Sequence, residues 1–275
     1  MNNLDFENIS SDAFRQYQND QNEQEYFLVD VRQPEEYKNA HIPGSKLMPL
    51  DDLESKLAEL PSDKDIFFYC HSGARSQAAA IISLDSGIQL QKVYNLIGGI
   101  MGWDGQTLPD FPKIAVFAMD ATLPDMMLTA MNLEKAALRF YETVFKHHAN
   151  ESYADILKTL SLAEEAHART IYSYWQRTQN DPQPFEELFN DFDGEIMEGG
   201  QKLVDVIENL TSLGDNSCRT LMEFALNIEI QAYDLYRNMA NNLDDESTQA
   251  AFLSISQMEK KHMQLLARIF KKCSN

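Results

Sequence analysis

Short apolar runs alternate with polar or amphipathic stretches in the first part of the chain. Runs rich in strand-forming residues lie at 26–31, 66–69 and 93–96, with a shorter run at 47–50. Runs of this length between turn residues predict buried strands. Residues 51–60 have the spacing of an amphipathic helix. Because strands that alternate with helices form parallel sheets, this part of the chain predicts an α/β fold.

Long helical periodicity replaces the strand pattern beyond about residue 116. The predicted long helices span 124–147, 152–177, 217–241 and 246–271. A connection from 178 to 216 separates the second helix from the third, and it contains a short predicted helix near 201–213. Four long helices with one long middle connection are typical of a four-helix bundle.

The two patterns predict two domains. The strand pattern ends in a stretch punctuated by Pro109 and Pro112, and residues 113–118 then form either a last short strand or a segment that docks the two parts. We therefore expect an α/β domain with a parallel sheet at 1–115, followed by an all-α four-helix bundle at 116–275.

The formal net charge of −20 is spread over both parts of the chain. Neither part offers a basic face to nucleic acid or anionic lipid, so neither partner is expected. The sequence has no apolar run long enough to span a membrane and no signal-peptide pattern at its start. Its three cysteines are too few and too scattered for a disulfide framework. We therefore expect a reducing, cytoplasmic location.

Cys70 lies where a predicted strand ends and a helix begins. The amides of the following loop and the positive end of the helix would stabilise a negative charge on its sulfur, and Arg75 adds a formal positive charge. A reactive thiolate is therefore expected. The alternative is a small buried cysteine at a strand end. Gly73 and Arg75 favour the reactive interpretation.

Carboxylates repeat along the helical part of the chain. Glu134 lies on an apolar helical stripe, as does Glu164 with His167 three residues later. An offset of 95 residues connects four pairs of identical residues: Glu134 with Glu229, Tyr141 with Tyr236, Glu164 with Glu259, and His167 with His262. Four coincidences at one offset indicate the internal duplication of a helix pair.

Glutamates on the apolar faces of bundle helices need compensating charge. Each of the four carboxylates and two imidazoles would cost on the order of several kcal/mol if it were buried without a partner. One Glu from each of two helices and a Glu-x-x-His from each of the other two form a ligand set for two adjacent metal ions. The alternative is a bundle with solvated acidic faces and chance Glu-x-x-His pairs, which the duplication disfavours.

The first part resembles the single-domain rhodaneses over about residues 5–110. Four motifs carry the resemblance: Asp30-Val31-Arg32-x-x-Glu35-Glu36-Tyr37, His41-Ile42-Pro43-Gly44, Cys70-His71-Ser72-Gly73-Ala74-Arg75-Ser76 and Gly98-Gly99-x-x-x-Trp103. The resemblance implies that Cys70 takes a sulfane sulfur as a persulfide and passes it to a nucleophile. Arg75 and the loop residues His71, Ser72, Gly73, Ala74 and Ser76 would hold the donor. His71 either shapes the choice of donor or simply faces outward.

The loop from Cys70 to Arg75 also distinguishes sulfur from phosphate chemistry. The phosphatases related to rhodaneses have a loop that is one residue longer, to fit a phosphate group. The shorter loop in this sequence therefore indicates sulfur transfer. Asp30 and Arg32 are interpreted as a structural ion pair at the edge of the sheet.

The second part resembles the ferritin-like, rubrerythrin-type di-iron proteins over about residues 122–272. The resemblance implies that Glu164 and Glu259 bridge or chelate the metals, with His167 and His262 one on each metal and Glu134 and Glu229 as further ligands. Tyr141 and Tyr236 either hydrogen-bond ligand carboxylates or belong to the core. Two features depart from the rubrerythrins: Leu226 replaces a further glutamate, and the chain has no Cys-x-x-Cys module.

Together these resemblances imply a rhodanese-type sulfurtransferase fused to a di-iron bundle that reduces peroxide or O₂. The implied partners are a small sulfane-sulfur donor such as thiosulfate or polysulfide, a thiol or cyanide acceptor, and an external electron donor. Iron is the expected cofactor, with manganese and zinc as alternatives, and a homodimer is expected. The alternative functions are a non-enzymatic sulfur or iron redox sensor and an iron-binding protein.

Overall fold

The structure is a computed structural model that describes residues 6–118, 120–151, 153–212, 218–243, 245–270 and 273 of the chain. The chain divides into two units, residues 1–111 and residues 112–275. The first unit contains the sheet and the second contains the long helices.

A five-stranded sheet in the order β1-β5-β4-β2-β3 forms the centre of the first unit, and its registered strand pairs are all parallel. Every residue of β2 and nearly every residue of β4 is buried, as expected for strands covered on both faces. The predicted parallel α/β fold is thus confirmed. The strands are β1 Glu7–Ile9, β2 Tyr26–Asp30, β3 Lys46–Leu47, β4 Asp65–Tyr69 and β5 Val93–Leu96.

Helices cover both faces of this sheet. The core on one face contains Phe68 and Ala79, and the core on the other contains Phe14 and Phe67. The segment predicted as an amphipathic α-helix at 51–60 is instead a 3₁₀ helix. The helices are α1 Ser11–Asp20, α2 Pro34–Asn39 and α3 Ala74–Asp85, with 3₁₀ helices at Leu50–Glu59 and Gly99–Gly102.

Four long helices dominate the described residues of the second unit. α4 packs mainly against α5, α8 packs mainly against α9, and α5 contacts α9. The predicted all-α character is confirmed, while the expected helix ends at Ser152, Ser217 and Lys271 lie outside the described residues. The helices are α4 Leu123–His147, α5 Ala154–Trp175, α6 Phe185–Asp191, α7 Leu203–Ser212, α8 Cys218–Asn241 and α9 Glu246–Phe270.

The beginning of α4 shows how local sequence sets a helix boundary. The Thr122 side chain accepts a hydrogen bond from the amide of Asp125, whose carboxylate in turn accepts one from the amide of Thr122. The segment before it contains a 3₁₀ turn at Ile114–Val116, so a last strand at 113–118 was a wrong prediction. None of the described helices is long and apolar enough to cross a membrane.

A disulfide bond joins Cys218, at the start of α8, to Cys273, beyond the end of α9. Their Cα atoms lie 5.5 Å apart. The expectation that the three cysteines are too scattered for disulfide bonding missed this bond, because a separation of 55 residues in sequence gives no sign that an antiparallel helix pair brings the two ends together. The cysteine count consequently gives no support for a reducing compartment.

Candidate functional site

Cys70 occupies the carboxyl end of the central strand β4. The next residues form a tight loop, and α3 begins at Ala74. Gly73 precedes the helix with a φ of +107°, a left-handed conformation that a side chain would strain. The thiol of Cys70 is free, and the residue is only 1% exposed. The loop therefore presents a buried sulfur at the amino end of a helix.

The sulfur of Cys70 accepts hydrogen bonds from its own loop. The Gly73 amide lies 3.1 Å from Sγ, and the Ser76 hydroxyl lies 3.4 Å from it. Burial raises the pKa of the Cys70 thiol, but hydrogen bonds from the Ser76 side chain and from the amides of Ser76, Gly73 and Ser72 outweigh burial, so the net pKa is lowered. These donors stabilise the thiolate.

The Ser76 hydroxyl also reaches two oxygen acceptors. It lies 2.7 Å from Asn95 Oδ1 and 3.1 Å from the Gly73 carbonyl. Asn95 is a buried residue of β5, and its side-chain amide donates to Asn8 Oδ1 at 2.8 Å. Asn95 was not predicted as a site residue, although a polar residue inside a buried strand was an available signal.

Arg75 forms an ion pair rather than contacting the sulfur directly. Its two terminal nitrogens each lie 2.7 Å from a carboxylate oxygen of Glu36 in α2. The hydrogen bonds from Arg75 are the largest influence on Glu36 and lower its pKa to about 2. Glu36 therefore fixes the guanidinium of Arg75, a role that its place in the sequence motif did not predict.

The remaining loop residues differ in exposure. His71, Ser72 and Ala74 are exposed, whereas Gly73 and Ser76 are buried. The exposed residues border the loop on its solvent side, where a small donor would arrive. The buried residues, Gly73 and Ser76, donate hydrogen bonds to the sulfur of Cys70.

The segment that begins with Gly98-Gly99 holds the Cys70 loop through backbone hydrogen bonds. The Ile100 amide donates to the Cys70 carbonyl at 2.8 Å, and the Met101 amide donates to the His71 carbonyl at 3.1 Å. A Cβ on Gly99 would overlap the Cys70 carbonyl oxygen and lie 2.7 Å from the His71 carbonyl. Glycine at 99 is therefore required for this close approach of the two backbones.

The predicted structural pair of Asp30 and Arg32 is confirmed. Arg32 Nη2 lies 2.7 Å from Asp30 Oδ2 and 2.6 Å from the Ala40 carbonyl, and both side chains are almost fully buried. The pair therefore ties the end of β2 to the turn that follows α2.

The six glutamate and histidine residues singled out in the bundle come together in its interior. All are buried, with exposures from 0% for Glu134 to 8% for His262. One ligand atom from each of Glu164, His167, Glu259 and His262 lies within 4.8 Å of the others. This is the spacing of a group that can hold metal ions.

The two histidines approach the carboxylates through the same ring atom. His167 Nδ1 lies 3.2 Å from Glu134, 3.1 Å from Glu164 and 2.9 Å from Glu259. His262 Nδ1 lies 2.9 Å from Glu229, 3.7 Å from Glu164 and 3.4 Å from Glu259. Glu164 and Glu259 thus face both histidines, whereas Glu134 pairs with His167 and Glu229 with His262.

The tyrosines connect the two helix pairs reciprocally. The Tyr141 hydroxyl donates to Glu229, and the Tyr236 hydroxyl donates to Glu134. Each tyrosine therefore bonds the glutamate of the other repeat, a crossing that a fixed sequence offset could not reveal. Of the two roles left open for these tyrosines, the structure shows hydrogen bonds to the carboxylates.

The pKa values in this cluster are raised because its buried carboxylates repel one another and lack enough neighbouring positive charge. Burial, and then repulsion by Glu229, raises the pKa of Glu164 well above its usual value. Burial raises the pKa of Glu229 to about 7. Burial alone would lower the pKa of His262, but Glu229 and the other carboxylates raise it to about 11. The cluster therefore favours added positive charge, whether from protons or from metal cations.

The donor set fits two metal ions. Carboxylate oxygens and imidazole nitrogens suit iron, manganese and zinc, and four carboxylates with two imidazoles match the ligands of di-iron bundles. The Oε2 atom of Glu198 is also buried, and it has no hydrogen-bond partner among the described residues. Glu198 was not predicted from the sequence, because it lies in the connection between α5 and α8, where no apolar helical stripe marks it.

Comparison with known proteins finds a family match in each part of the chain. A family model for the rhodanese-like domain matches residues 10–106, and one for rubrerythrin matches residues 220–275. A sulfurtransferase from Allochromatium vinosum is 36% identical over 86 residues, covering 31% of this chain and 78% of that protein. A putative sulfurtransferase of Bacillus subtilis, YtwF, is 34% identical over 87 residues, covering 32% of this chain and 82% of that protein.

The parallel sheet and the cysteine loop define a rhodanese-like domain, and the helical part contains a rubrerythrin domain. Over its first part the chain belongs to the rhodanese-like family. It is also similar to the putative sulfur carrier protein YrkF of Bacillus subtilis, with 38% identity over 99 residues, which is 36% of this chain. The chain spans 51% of the length of YrkF.

Proposed function

We propose that the first unit is a sulfurtransferase in which the Cys70 thiolate accepts a sulfane sulfur from thiosulfate or a polysulfide. The observation that carries this proposal is the set of hydrogen-bond donors around Sγ, which lowers the pKa of the thiol. With thiosulfate, the thiolate attacks the outer sulfur, the S–S bond of thiosulfate breaks, and sulfite leaves with the bonding electron pair.

The second step returns the enzyme to its starting state. A thiolate or cyanide attacks the terminal sulfur of the Cys70 persulfide, the new bond forms, and the Cys70 thiolate leaves. The amides of Ser72, Gly73 and Ser76 are the donors available to the sulfur throughout. Arg75, held by Glu36, contributes positive charge to the approach of an anionic donor. The exposed residues His71, Ser72 and Ala74 border that approach.

A thiosulfate:cyanide assay tests this proposal. We expect Cys70→Ser to lower the rate by at least about 100-fold, because it removes the nucleophile. Ser83→Ala, a buried substitution within α3, is the matched control and should retain the rate of the wild type. Equal rates for wild type and Cys70→Ser would reject catalysis and favour a non-enzymatic sensor.

We infer that the second unit binds two metal ions, with iron as the first choice and manganese and zinc as alternatives. Glu134 and His167 would hold one ion, Glu229 and His262 the other, and Glu164 and Glu259 would be shared between them. The convergence of both Nδ1 atoms on these carboxylates supports this assignment. Bound iron would supply the reduction of peroxide or O₂, with electrons from an external donor. The hydroxyls of Tyr141 and Tyr236 would orient the carboxylates of Glu229 and Glu134, respectively.

Anaerobic reconstitution with Fe²⁺ tests the metal site. We expect two Fe²⁺ per wild-type chain and a loss of binding when both Glu164 and Glu259 are replaced by Ala, because the shared ligands are removed. Replacement of the exposed Glu142 and the partly buried Glu165 by Ala, both outside the cluster, is the matched control and should preserve binding. Iron retained by the Glu164→Ala, Glu259→Ala variant would reject the assignment. Peroxide consumption with and without an electron donor then separates reduction from simple iron binding.

A further inference from the structure

Glu198 lies in the connection between α5 and α8, at a position where a charged side chain is ordinarily solvated. The Gly200 amide donates to the Met197 carbonyl at 2.8 Å, which makes Glu198 the second residue of a tight turn. Gly200 completes the turn with a φ of +74°. Residues at the tip of a turn usually face water. Glu198 is nevertheless only 2% exposed.

Contacts with α4 hold the connection beside Glu134. The Gly194 amide donates to Asn132 Oδ1 at 2.8 Å, and the Arg139 guanidinium donates to the Gly194 carbonyl at 3.1 Å. A Cβ on Gly194 would lie 3.1 Å from the backbone nitrogen of Ala136. The connection therefore lies directly on the segment of α4 that carries Glu134.

The turn also abuts α8. A Cβ on Gly199 would overlap Oε1 of Gln231, which is two residues beyond Glu229. Met197 is buried in the same apolar cluster as Tyr141 and Met222. Glu198 thus enters the bundle between the helices that carry the two outer glutamates, Glu134 and Glu229.

The buried carboxylate of Glu198 interacts electrostatically with the glutamate cluster. Burial raises its pKa well above the usual value, and repulsion by Glu134, Glu164 and Glu259 raises it further. Its charge in turn raises the pKa of Tyr236, the residue that donates to Glu134. The contacts of the connection with α4 at Asn132, Ala136 and Arg139 likewise put Glu198 on the Glu134 side of the bundle.

A cavity of about 220 Å³ opens beside this carboxylate. Apart from Glu198, its polar lining consists of side-chain amides, those of Gln201, Asn209, Asn227 and Gln231. The surroundings of this buried acid are therefore polar on the side of the cavity.

We propose that Glu198 is a further carboxylate ligand of the metal pair, donated by the connection rather than by a bundle helix, to the ion held by Glu134 and His167. The proposal rests on the two-metal site proposed above. The buried, unpartnered Oε2 of Glu198 is the donor atom that would complete this ion's coordination. The 95-residue repeat provides no counterpart for it, so the two ions have unequal ligand sets.

Anaerobic titration with Fe²⁺ tests this role without any turnover. Glu198→Gln preserves the size of the side chain but replaces a charged donor with a weak one. We expect the wild type to bind two Fe²⁺ per chain and Glu198→Gln to bind one of them about 10–100-fold more weakly. Glu195→Gln, an exposed glutamate in the same connection, is the matched control and should bind both ions like the wild type.

Mössbauer spectra of the ⁵⁷Fe²⁺-loaded proteins provide an independent readout. Unequal ligand sets predict two distinct ferrous doublets in the wild type, and Glu198→Gln should change one of them while leaving the other in place. Glu198→Asp retains the charge on a shorter side chain, so its affinity should lie between those of the wild type and Glu198→Gln. Thermal unfolding without metal should show both variants folded, because neither removes a hydrogen bond from Oε2.

The outcomes separate this proposal from the one on which it depends. A wild type that binds no Fe²⁺ overturns the two-metal site and the role of Glu198 with it. A wild type that binds two Fe²⁺, together with a Glu198→Gln variant of equal affinity and unchanged doublets, overturns the role of Glu198 alone. If Glu195→Gln weakens binding as much as Glu198→Gln does, the effect comes from charge in general and the ligand role is rejected.

Discussion

A single hydroxyl proton on Ser76 faces three acceptors in the rhodanese-like domain. The closest is Asn95 Oδ1 at 2.7 Å, whereas Cys70 Sγ lies at 3.4 Å. Hydrogen bonds to a charged acceptor are stronger than those to a neutral one. The hydroxyl therefore gains most from turning towards the sulfur when Cys70 is a thiolate, and Asn95 holds it in place when the sulfur is neutral.

Ser76→Ala should raise the pKa of Cys70. The hydroxyl is the largest of the influences that lower this pKa, so its removal disfavours the thiolate. The rate of alkylation by iodoacetamide, measured against pH, should have its midpoint at a higher pH in the variant. The rate at neutral pH should fall accordingly, because a smaller fraction of the thiol is ionised.

Ser83→Ala, whose hydroxyl donates only within α3 to the Ala79 carbonyl, provides the control for this measurement. Its alkylation midpoint should match that of the wild type. A Ser76→Ala midpoint equal to that of the wild type would assign the stabilisation of the thiolate to the backbone amides alone.

The sequence revealed Cys70 and its loop because the order of residue types there is distinctive. It did not reveal Asn95, because a residue's neighbour across a sheet depends on register: Asn95 lies opposite Phe68 only once β5 pairs with β4. Glu36 was visible in a motif, but its partner Arg75 is 39 residues away. Local patterns thus identify the nucleophile, and only the fold identifies the groups that hold its surroundings in place.

At the scale of helices, the bundle is held together by contacts that cross from one repeat to the other. Tyr141 of α4 bonds Glu229 of α8, and Tyr236 of α8 bonds Glu134 of α4. α4 and α8 are thereby joined at two symmetric points around the carboxylate cluster. Both tyrosines are fully buried, so neither glutamate can exchange this donor for water.

Tyr141→Phe and Tyr236→Phe should each destabilise the metal-free protein by about 1–3 kcal/mol, the cost of leaving a buried acceptor without its donor. Urea unfolding followed by circular dichroism measures this change. Tyr174→Phe, in α5 and partly exposed, is the control and should unfold like the wild type. A Tyr141→Phe variant as stable as the wild type would show that the carboxyl of Glu229 is protonated and already satisfied.

Helical periodicity was sufficient to predict the long helices and the residues on their inner faces. Which repeat contacts which could not be predicted, because an offset of 95 shows that two segments are alike without showing how they pack. The connection between α5 and α8 was harder to predict than the long helices. α6 and Glu198 lie where prolines and glycines interrupt the helical periodicity, so neither could be assigned to the face of a helix from the sequence.

At the scale of the whole molecule, the disulfide between Cys218 and Cys273 closes the α8–α9 pair at its open end. The two cysteines are 55 residues apart, so the bond excludes many extended conformations of the unfolded chain. In the chain-entropy account, a loop of this length is worth about 4 kcal/mol.

Replacement of both Cys218 and Cys273 by Ser should therefore lower the free energy of unfolding of the second unit by up to about 4 kcal/mol. Thermal unfolding, followed by the helical signal, measures the change, and a reductant should shift the wild type in the same direction. Cys70→Ser in the first unit is the control and should leave this transition unchanged. A wild-type transition that is insensitive to reductant would contradict the stabilising role of the bond.

The reciprocal tyrosine bonds also bear on how such a chain could have arisen. A single helix pair would carry one tyrosine and one glutamate that do not bond each other, so both would lack a hydrogen-bond partner. In two identical copies related by a two-fold axis, the tyrosine of each copy would bond the glutamate of the other. The present chain is then equivalent to such a dimer joined into one polypeptide. Joining required a connection, and because a connection occurs only once, the ligand role proposed for Glu198 would make the two halves of a symmetric centre unequal.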